Sequence, residues 1–394
     1  MRIAMLTNNY KPFIGGVPTS IEHLAKALGE LGHKVYVFAP SYPNQVEEEG
    51  VIRYPSFPIK VGGAPIPNVF TGHIIRKMKE LEIDVIHVHH PALAGNVALM
   101  LQKRLGIPVV YTYHTRYEQY LHYVRPLELL NDWTNMVTTY TKYFCNRCNM
   151  IIAPTPGMKD YLEELKIDTP VSVLPTGISD IHFHPDKQHV QELKECYGTG
   201  KDYLFCTVSR LAKEKNLTFQ LQELKLLKER LAKRGKSFCH LMLGEGPERA
   251  YLTVLIRELG LENEVILVGN VPNEEIADYM AASDLFLFTS QSETQGIVVL
   301  ESFAAGTPVA ALDATGVRDV VADGRNGLLT GDAQGEWSSQ IETLLEDAGL
   351  LEQMGKRAVD TARKYHEGLI AQSALCYYEM ALHKSREDAC AYQY

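Results

Sequence analysis

"RIAML" (residues 2–6), "TSIEHLAKALGELG" (19–32) and "KVYVFAP" (34–40) follow one another near the start of the chain, and their order decides the fold. The first and last are short apolar runs of strand length. The middle segment places Ile21, Leu24, Ala25, Leu28 and Leu31 on one face at helical spacing and stops at Gly32. Strand, helix and strand in this order predict parallel strands joined by a helical crossover. The rhythm continues through "DVIHVHH" (84–90), "VVYTYH" (109–114) and "MIIAPT" (150–155). After "VSVLPTGISDIHFHPD" (171–186) it begins again with "YLFCTVSR" (203–210), "SFCHLMLGEG" (237–246), "EVILVGNV" (264–271), "DLFLFTS" (284–290) and "TPVAALD" (307–313). The fold class is therefore α/β, two doubly wound domains in series. Pro175, Gly177 and Pro185 mark the connection and place the split near residue 183. From about residue 340 the chain reads as helix throughout. Sheets of this kind bind ligands beyond the carboxyl ends of their strands, and a cleft between the domains is the expected site.

The length of 394 residues exceeds the size at which one hydrophobic core usually splits. No apolar run approaches the roughly 18 residues of a membrane span, and "MRIAMLTNNY" lacks the features of a signal peptide. A cytoplasmic location is expected. The seven cysteines form no framework and fit reduced thiols. Cys145 and Cys148 make a C-x-x-C in "FCNRC", but without a second pair they read as packed thiols on one helix rather than a zinc site. The net charge of −9 is unevenly placed: residues 1–175 hold 17 Lys+Arg against 15 Asp+Glu, and the remainder 22 against 33. An acidic total argues against a general nucleic-acid binder, and a basic first half invites an anionic partner such as a phosphate or a lipid surface.

"TSQSETQGIVVLESFAAGTPVAA" (289–311) carries Glu293 and Glu301 eight residues apart around Gly296. Glu293 falls in the loop over a strand end, and Glu301 more than a turn into the helix that begins near Gly296. The amides of Gly296, Ile297 and Val298 form a positive helix end. One carboxylate suits hydroxyls at the loop, the other hydroxyls beside the helix, and the amides a phosphate between them, which is the pattern of a nucleotide-sugar. The competing reading, a capped helix with two solvated glutamates, fits poorly with the apolar surroundings of Glu301. In "NNYKPFIGGVPTSIEHL", Gly15 and Gly16 precede a helix that starts near Pro18 and let amides approach an anion. A plain strand-to-helix turn reads equally well, because the spacing matches neither a dinucleotide fingerprint nor a P-loop. "VSRLAKEKN" puts Arg210 and Lys215 beyond a strand end, where they suit phosphate oxygens, although exposed basic residues are usually only solvated. "LMLGEGPE" offers Gly244 and Gly246, equally readable as a tight turn. His114 ends a strand, where it reads as a catalytic or a structural histidine, and His87, His89 and His90 alternate in direction and cannot all converge on a metal.

The ordered set formed by the Gly15-Gly16 loop, "SRLAKEKN", "GEGP" and Glu293-x7-Glu301 resembles the retaining glycosyltransferases of family 4 over nearly the whole chain. The resemblance implies the GT-B fold, two Rossmann-like domains facing across a cleft: an acceptor domain of residues 1–183, a donor domain of 184–369, and a last helix of about 370–394 packing back on the first. It also implies that Arg210 and Lys215 bind the donor diphosphate, together with Gly16, Gly246 and the amides of Gly296, Ile297 and Val298. Glu301 would hold the ribose, Glu293 the transferred sugar near its 3-hydroxyl, backbone at Val271 the base, and His114 the reacting sugar. With no D-x-D motif, no metal and no cofactor is expected, the nucleotide-sugar being a substrate. Similar enzymes retain anomeric configuration by front-face attack; a double displacement would need a carboxylate nucleophile, which the sequence does not identify.

"HTRYEQYLHYV" and "SETQGIVVLE" are most similar to bacterial enzymes that glucosylate diacylglycerol at the cytoplasmic membrane face. "HIIRKMKEL" and the segment containing Tyr120, Tyr123, Arg125, Trp133, Lys142 and Tyr143 combine basic and aromatic residues suited to an anionic lipid surface, against the alternative of a helix pair packed on the core. The expectation is transfer of a hexose, glucose from UDP-glucose, to a lipid such as 1,2-diacylglycerol, by a protein peripheral on the inner face of the cell membrane. "GGV", where related lipid enzymes often carry "NGV", leaves sugar and acceptor open. Alternatives are the same chemistry on a soluble or polysaccharide acceptor and a non-catalytic nucleotide-sugar-binding protein. A nicotinamide oxidoreductase would need the missing G-x-G-x-x-G.

Overall fold

The computed structural model describes the chain apart from residues 14, 44, 46, 62–63, 69–71, 117–129, 292 and 392–394. It divides into one unit of Met1–Gly177 with Glu367–Tyr394 and a second of Ile178–His366. The crossing at Gly177 falls a few residues before the connection expected at 183.

The first unit runs β1 (Arg2–Leu6), α1 (Gly16–Glu30), β2 (Lys34–Pro40), β3 (Val51–Tyr54), β4 (Ser56–Val61), β5 (Ala64–Pro67), α2 (Gly72–Glu80), β6 (Val85–Val88) and α3 (Ala94–Leu105). It continues with β7 (Val109–Thr112), α4 (Leu130–Cys145), β8 (Met150–Ala153), α5 (Pro156–Glu164) and β9 (Val171–Val173). Seven of these strands form one parallel sheet in the order β3-β2-β1-β6-β7-β8-β9, while β4 and β5 pair antiparallel apart from it. Every residue of β6, β7 and β8 is buried, because helices cover both faces of a parallel sheet. Successive residues alternate between two cores: Ala4, Ile86 and Tyr111 join Met78, Leu101 and Phe144 on one side, and Ile3, Val85 and Val110 join Ile21 and Leu28 on the other.

Helix α1 begins at Gly16, two residues before the expected start, so Pro18 lies in the first turn, where its missing N–H is not needed. Its buried face holds Ile21, Leu24, Ala27 and Leu28 together with Ser20 and His23, whereas Leu31 is 39% exposed. The expected stripe is thus rotated, because a second helix lies alongside: α13 (Glu367–Ala391), the last element of the chain, returns to pack on α1. Cys145 ends α4 and Cys148 lies in the turn beyond it, both buried and unpaired, so they share an environment but not one helix. Burial pushes the Cys145 thiol up to about 12, which leaves it unreactive at neutral pH.

The second unit contains α6 (Lys187–Gly198), β10 (Tyr203–Val208), α7 (Leu217–Ala232), β11 (Phe238–Leu243), α8 (Arg249–Glu258), β12 (Val265–Gly269) and α9 (Ile276–Ala282). After these come β13 (Leu285–Phe288), α10 (Ile297–Ala304), β14 (Val309–Leu312), β15 (Gly327–Thr330), α11 (Glu336–Leu345) and α12 (Ala348–Arg363). Its six strands are parallel in the order β12-β11-β10-β13-β14-β15. Strand β15 escapes a sequence reading because "GLLT" holds only two apolar residues between a glycine and a threonine; pairing with β14 makes it, and a Cβ on Gly327 would lie 2.6 Å from the Val309 carbonyl oxygen. The helical tail consists of three helices, with Asp347 accepting from the Leu350 amide at 2.9 Å to start α12. Among the described residues no helix is long and apolar enough to cross a membrane.

Candidate functional site

In the second sheet the strand order reverses between β10 and β13, which pair directly, so their carboxyl ends leave side by side. This switch point is where an open α/β sheet leaves room for a ligand. The loop after β10 carries exposed Arg210 and a tight 3-10 turn, Lys213–Lys215; the loop after β13 carries Glu293. Hydroxyls stitch the loops together. Thr289 donates to the carbonyls of Lys215 (3.1 Å) and Asn216 (3.3 Å), and Ser290 to that of Glu214 (3.2 Å). Lys215 Nζ then meets Glu293 Oε1 at 2.5 Å, with 24% and 20% of the two side chains exposed. Burial pushes the Glu293 carboxyl up, but the charge and hydrogen bond of Lys215 oppose it, and the group lies below its usual range. Thr289 and Ser290 went unrecognised in the sequence because they look like ordinary loop hydroxyls; only the pairing of β10 with β13 reveals their partners.

The glycines of "GEGP" have a packing role. A Cβ on Gly244 would lie 2.1 Å from the Ser209 oxygen and one on Gly246 2.2 Å from the Leu211 oxygen, while the Leu211 amide donates to Glu245 O at 3.1 Å. These contacts clamp the Arg210 loop, so Gly246 is demanded by backbone approach whatever it binds. Gly316 does the same for the Glu293 loop: its φ is +82° and a Cβ there would lie 2.6 Å from Glu293 O.

Gly296, at φ +69°, turns the chain into α10, whose first residues are Ile297 and Val298. Glu301, one turn on, is 9% exposed, and its Oε1 lies 3.7 Å from Nε2 of fully buried His182. The alternative of two solvated glutamates is thereby corrected: Glu293 is ion-paired and Glu301 is buried beside a histidine that no spacing in the sequence pointed to. Val271 follows β12 and packs half-buried on the apolar core.

In the first sheet the order reverses between β1 and β6. Gly16 opens α1 after Gly15, whose backbone is simply extended. His114 follows β7, and its Nε2 lies 2.9 Å from Nδ1 of His89, beyond β6. His87 shares the side of His89 and bonds Tyr378 Oη at 2.8 Å and Thr112 Oγ1 at 2.6 Å, while His90 points elsewhere and accepts from the Asn8 amide at 3.2 Å. Burial lowers His87 to about 3; burial together with neighbouring histidines holds His89 and His114 well below their ordinary range, so both rings are neutral at pH 7.

Of the aromatic and basic residues expected at a lipid surface, Tyr120, Tyr123 and Arg125 fall outside the described residues, as does the side chain of Trp133. On α4, Tyr143 is 50% exposed with the Arg147 guanidinium 3.5 Å over its ring, Met136 is 52% exposed, and Lys142 is half-buried. Tyr140 Oη bonds Pro91 O and Asn96 Oδ1, each at 3.0 Å, and ties the helix to the start of α3.

Two parallel sheets in Rossmann order, each with polar side chains gathered over its switch point, define the architecture of GT-B glycosyltransferases. Residues 14–180 match the model of Glycosyltransferase Family 4 and residues 191–361 that of Glycosyl transferases group 1. The chain belongs to glycosyltransferase family 4, and it is a glycosyltransferase. It is 30% identical over 388 residues to an alpha-monoglucosyldiacylglycerol synthase of Acholeplasma laidlawii, covering 95% of each chain. It is 30% identical over 338 residues to the alpha-monoglucosyldiacylglycerol synthase of Streptococcus pneumoniae, covering 84% of this chain and 75% of that one. Among solved structures, Anabaena HepE in complex with UDP superposes with a TM-score of 0.76 at 21% identity, over 95% of this chain and 98% of that one.

Proposed function

We propose that this enzyme transfers glucose from UDP-glucose to a membrane lipid such as 1,2-diacylglycerol with retention of configuration. The observation that carries the chemistry is the contact of Lys215 with Glu293 over the paired ends of β10 and β13. It sets a cation for a departing diphosphate beside a carboxylate for a sugar hydroxyl, the two groups that flank the bond to be broken in a nucleotide-sugar. In the reaction the bond from the anomeric carbon to the phosphate oxygen breaks and its electrons stay on the diphosphate. Arg210, Lys215 and the first amides of α10 stabilise that charge; removing one such donor typically costs about 100- to 1,000-fold. The acceptor hydroxyl attacks from the same face and passes its proton to the leaving phosphate oxygen, so that charge needs no metal and no cofactor. Glu301 takes the ribose, backbone at Val271 the base, Gly16 and Gly246 approach the phosphates, and His114 serves the transferred sugar.

The lipid acceptor is supported by identity to two alpha-monoglucosyldiacylglycerol synthases and by the exposed Met136 and Tyr143 on α4 and Arg147 in the turn after it. Arg76 and Lys79, exposed on the basic helix α2, fit a peripheral position on anionic lipid at the inner face of the cell membrane. The test is extraction of label into the organic phase after incubation with radiolabelled UDP-glucose and vesicles of diacylglycerol plus anionic phospholipid. Label lost in Glu293→Ala supports the assignment. UDP release only with a soluble acceptor or another sugar sinks the lipid or glucose assignment, and tight UDP binding without turnover on any acceptor indicates a non-catalytic binder.

A further inference from the structure

Four histidines gather at the carboxyl ends of β6 and β7, and the proposed reaction uses only His114. We propose that His89 is a positioning residue: its Nδ1–H donates to His114 Nε2 and holds His114 in the tautomer protonated on Nδ1, leaving Nδ1 as the edge that donates toward the transferred sugar. The effect on turnover rests on the reading that His114 serves the sugar; the tautomer itself does not.

The geometry leaves few choices. His89 Nδ1 and His114 Nε2 are 2.9 Å apart, the ring centroids 5.1 Å apart and the planes 24° from parallel. That centroid separation nearly equals the N···N distance plus the two ring radii, so the rings meet edge to edge along the lone-pair direction rather than face to face. Both rings are neutral, so one donates and the other accepts, and the donor identity fixes both tautomers. His87, although its centroid is only 4.2 Å from that of His89, has both nitrogens committed to Tyr378 and Thr112. His90 is turned to Asn8.

The other edge of His89 decides the direction. Its ring is 1% exposed, and Nε2 has no hydrogen-bond partner among the described residues. A proton on Nε2 would bury an unanswered N–H, which folded proteins avoid more strictly than an under-used acceptor. The small cavity that His89 lines is walled by Ser20, Thr112 and Thr176. The Thr112 hydroxyl is engaged by His87, and Ser20 Oγ accepts from Thr176 at 2.9 Å while keeping its own proton to give. Ser20 keeps a proton that it can turn to a bare Nε2, whereas an Nε2–H finds no acceptor within hydrogen-bond distance among the described residues.

The test labels the histidines of the full-length enzyme with 15N and reads the His114 tautomer from long-range 15N–1H correlations at neutral pH. Wild type and His89→Asn, whose amide keeps a donor near the Nδ1 position, are expected to show His114 protonated on Nδ1. His89→Leu is expected to lose that preference and about tenfold in kcat, the equivalent of one misplaced hydrogen bond, with the donor KM changed less than twofold. His114 found protonated on Nε2 in the wild type, or a His89→Leu variant with the wild-type tautomer, overturns the proposal. Should His89→Leu fail to fold, the wild-type and His89→Asn spectra still decide. An Nδ1-protonated His114 in an enzyme that does not turn over UDP-glucose would sink the donor assignment and leave the tautomer lock standing.

Discussion

Replacing Glu293 with Gln should make the enzyme bind free UDP more tightly while transferring sugar more slowly. Lys215 is held by Glu293 at 2.5 Å, so a diphosphate competes with that carboxylate for its cation. The carboxyl lies below its usual range, against the pull of burial, and is ionised throughout the neutral range. A bare Coulomb estimate at this distance and an effective dielectric of 20 exceeds about 6 kcal/mol, but that is a gross attraction. About a fifth of each side chain meets solvent, and measured partly exposed pairs retain only about 1 to 2 kcal/mol. Removing the charge should therefore raise UDP affinity roughly five- to thirty-fold. The same change removes the carboxylate proposed to hold the sugar, at a cost of about 1.5 to 3 kcal/mol in the transition state, or roughly ten- to a hundred-fold in kcat. Calorimetric titration with UDP at low ionic strength, alongside turnover with vesicles, reads both. A Glu293→Gln variant whose UDP affinity is unchanged or weaker would refute the idea that Glu293 competes with a diphosphate for Lys215.

Three more outcomes follow from other parts of the molecule. His87 and His240 are fully buried, and burial lowers each to about 3; a folded-state value below the unfolded one means stability present above about pH 6.5 and lost on acidification, about 2 to 3 kcal/mol per histidine between pH 6.5 and 4.5, so urea midpoints flat over that range would be the wrong result. Glu223, buried on α7, accepts from the amides of Gly335 (2.7 Å) and Ser338 (3.0 Å) and caps α11 in place of a local side chain, so Glu223→Ala should lower stability by about 2 kcal/mol or more by urea denaturation, with Glu223→Gln milder. Gly244→Ala combines a φ of +123° with a Cβ 2.1 Å from the Ser209 oxygen, and it should cost at least about 2 kcal/mol and displace Arg210, seen as lost UDP affinity in whatever protein still folds.

Much of this architecture was legible from residue patterns. Runs such as "VVYT" and "LFLF" are continuous rather than alternating because both faces of a parallel sheet are buried, and that signal survives without any partner in view. Glu293 and Glu301 stood out because carboxylates are costly in an apolar segment, and the structure finds each beside a cationic or titratable partner. Strand β15 was illegible because "GLLT" opens on a glycine, ends on a threonine and leaves its two leucines only half-buried, so it lacks the continuous apolar run of its neighbours. The burial of Ala27 in place of Leu31 was equally hidden, since it depends on a helix more than 300 residues away in the chain lying against α1.

By itself the sequence determined the fold class, the two-domain plan and the residue types available for phosphate and hydroxyl recognition, because those follow from local periodicity and from the cost of burying charge. Only the tertiary structure decided which of those residues meet. Lys215 and Glu293 are 78 positions apart, and His89 and His114 are 25 apart. Each pair is made by two parallel strands lying side by side, and strand order is set by how helices pack on a sheet, a property of the whole fold that no short stretch of sequence contains.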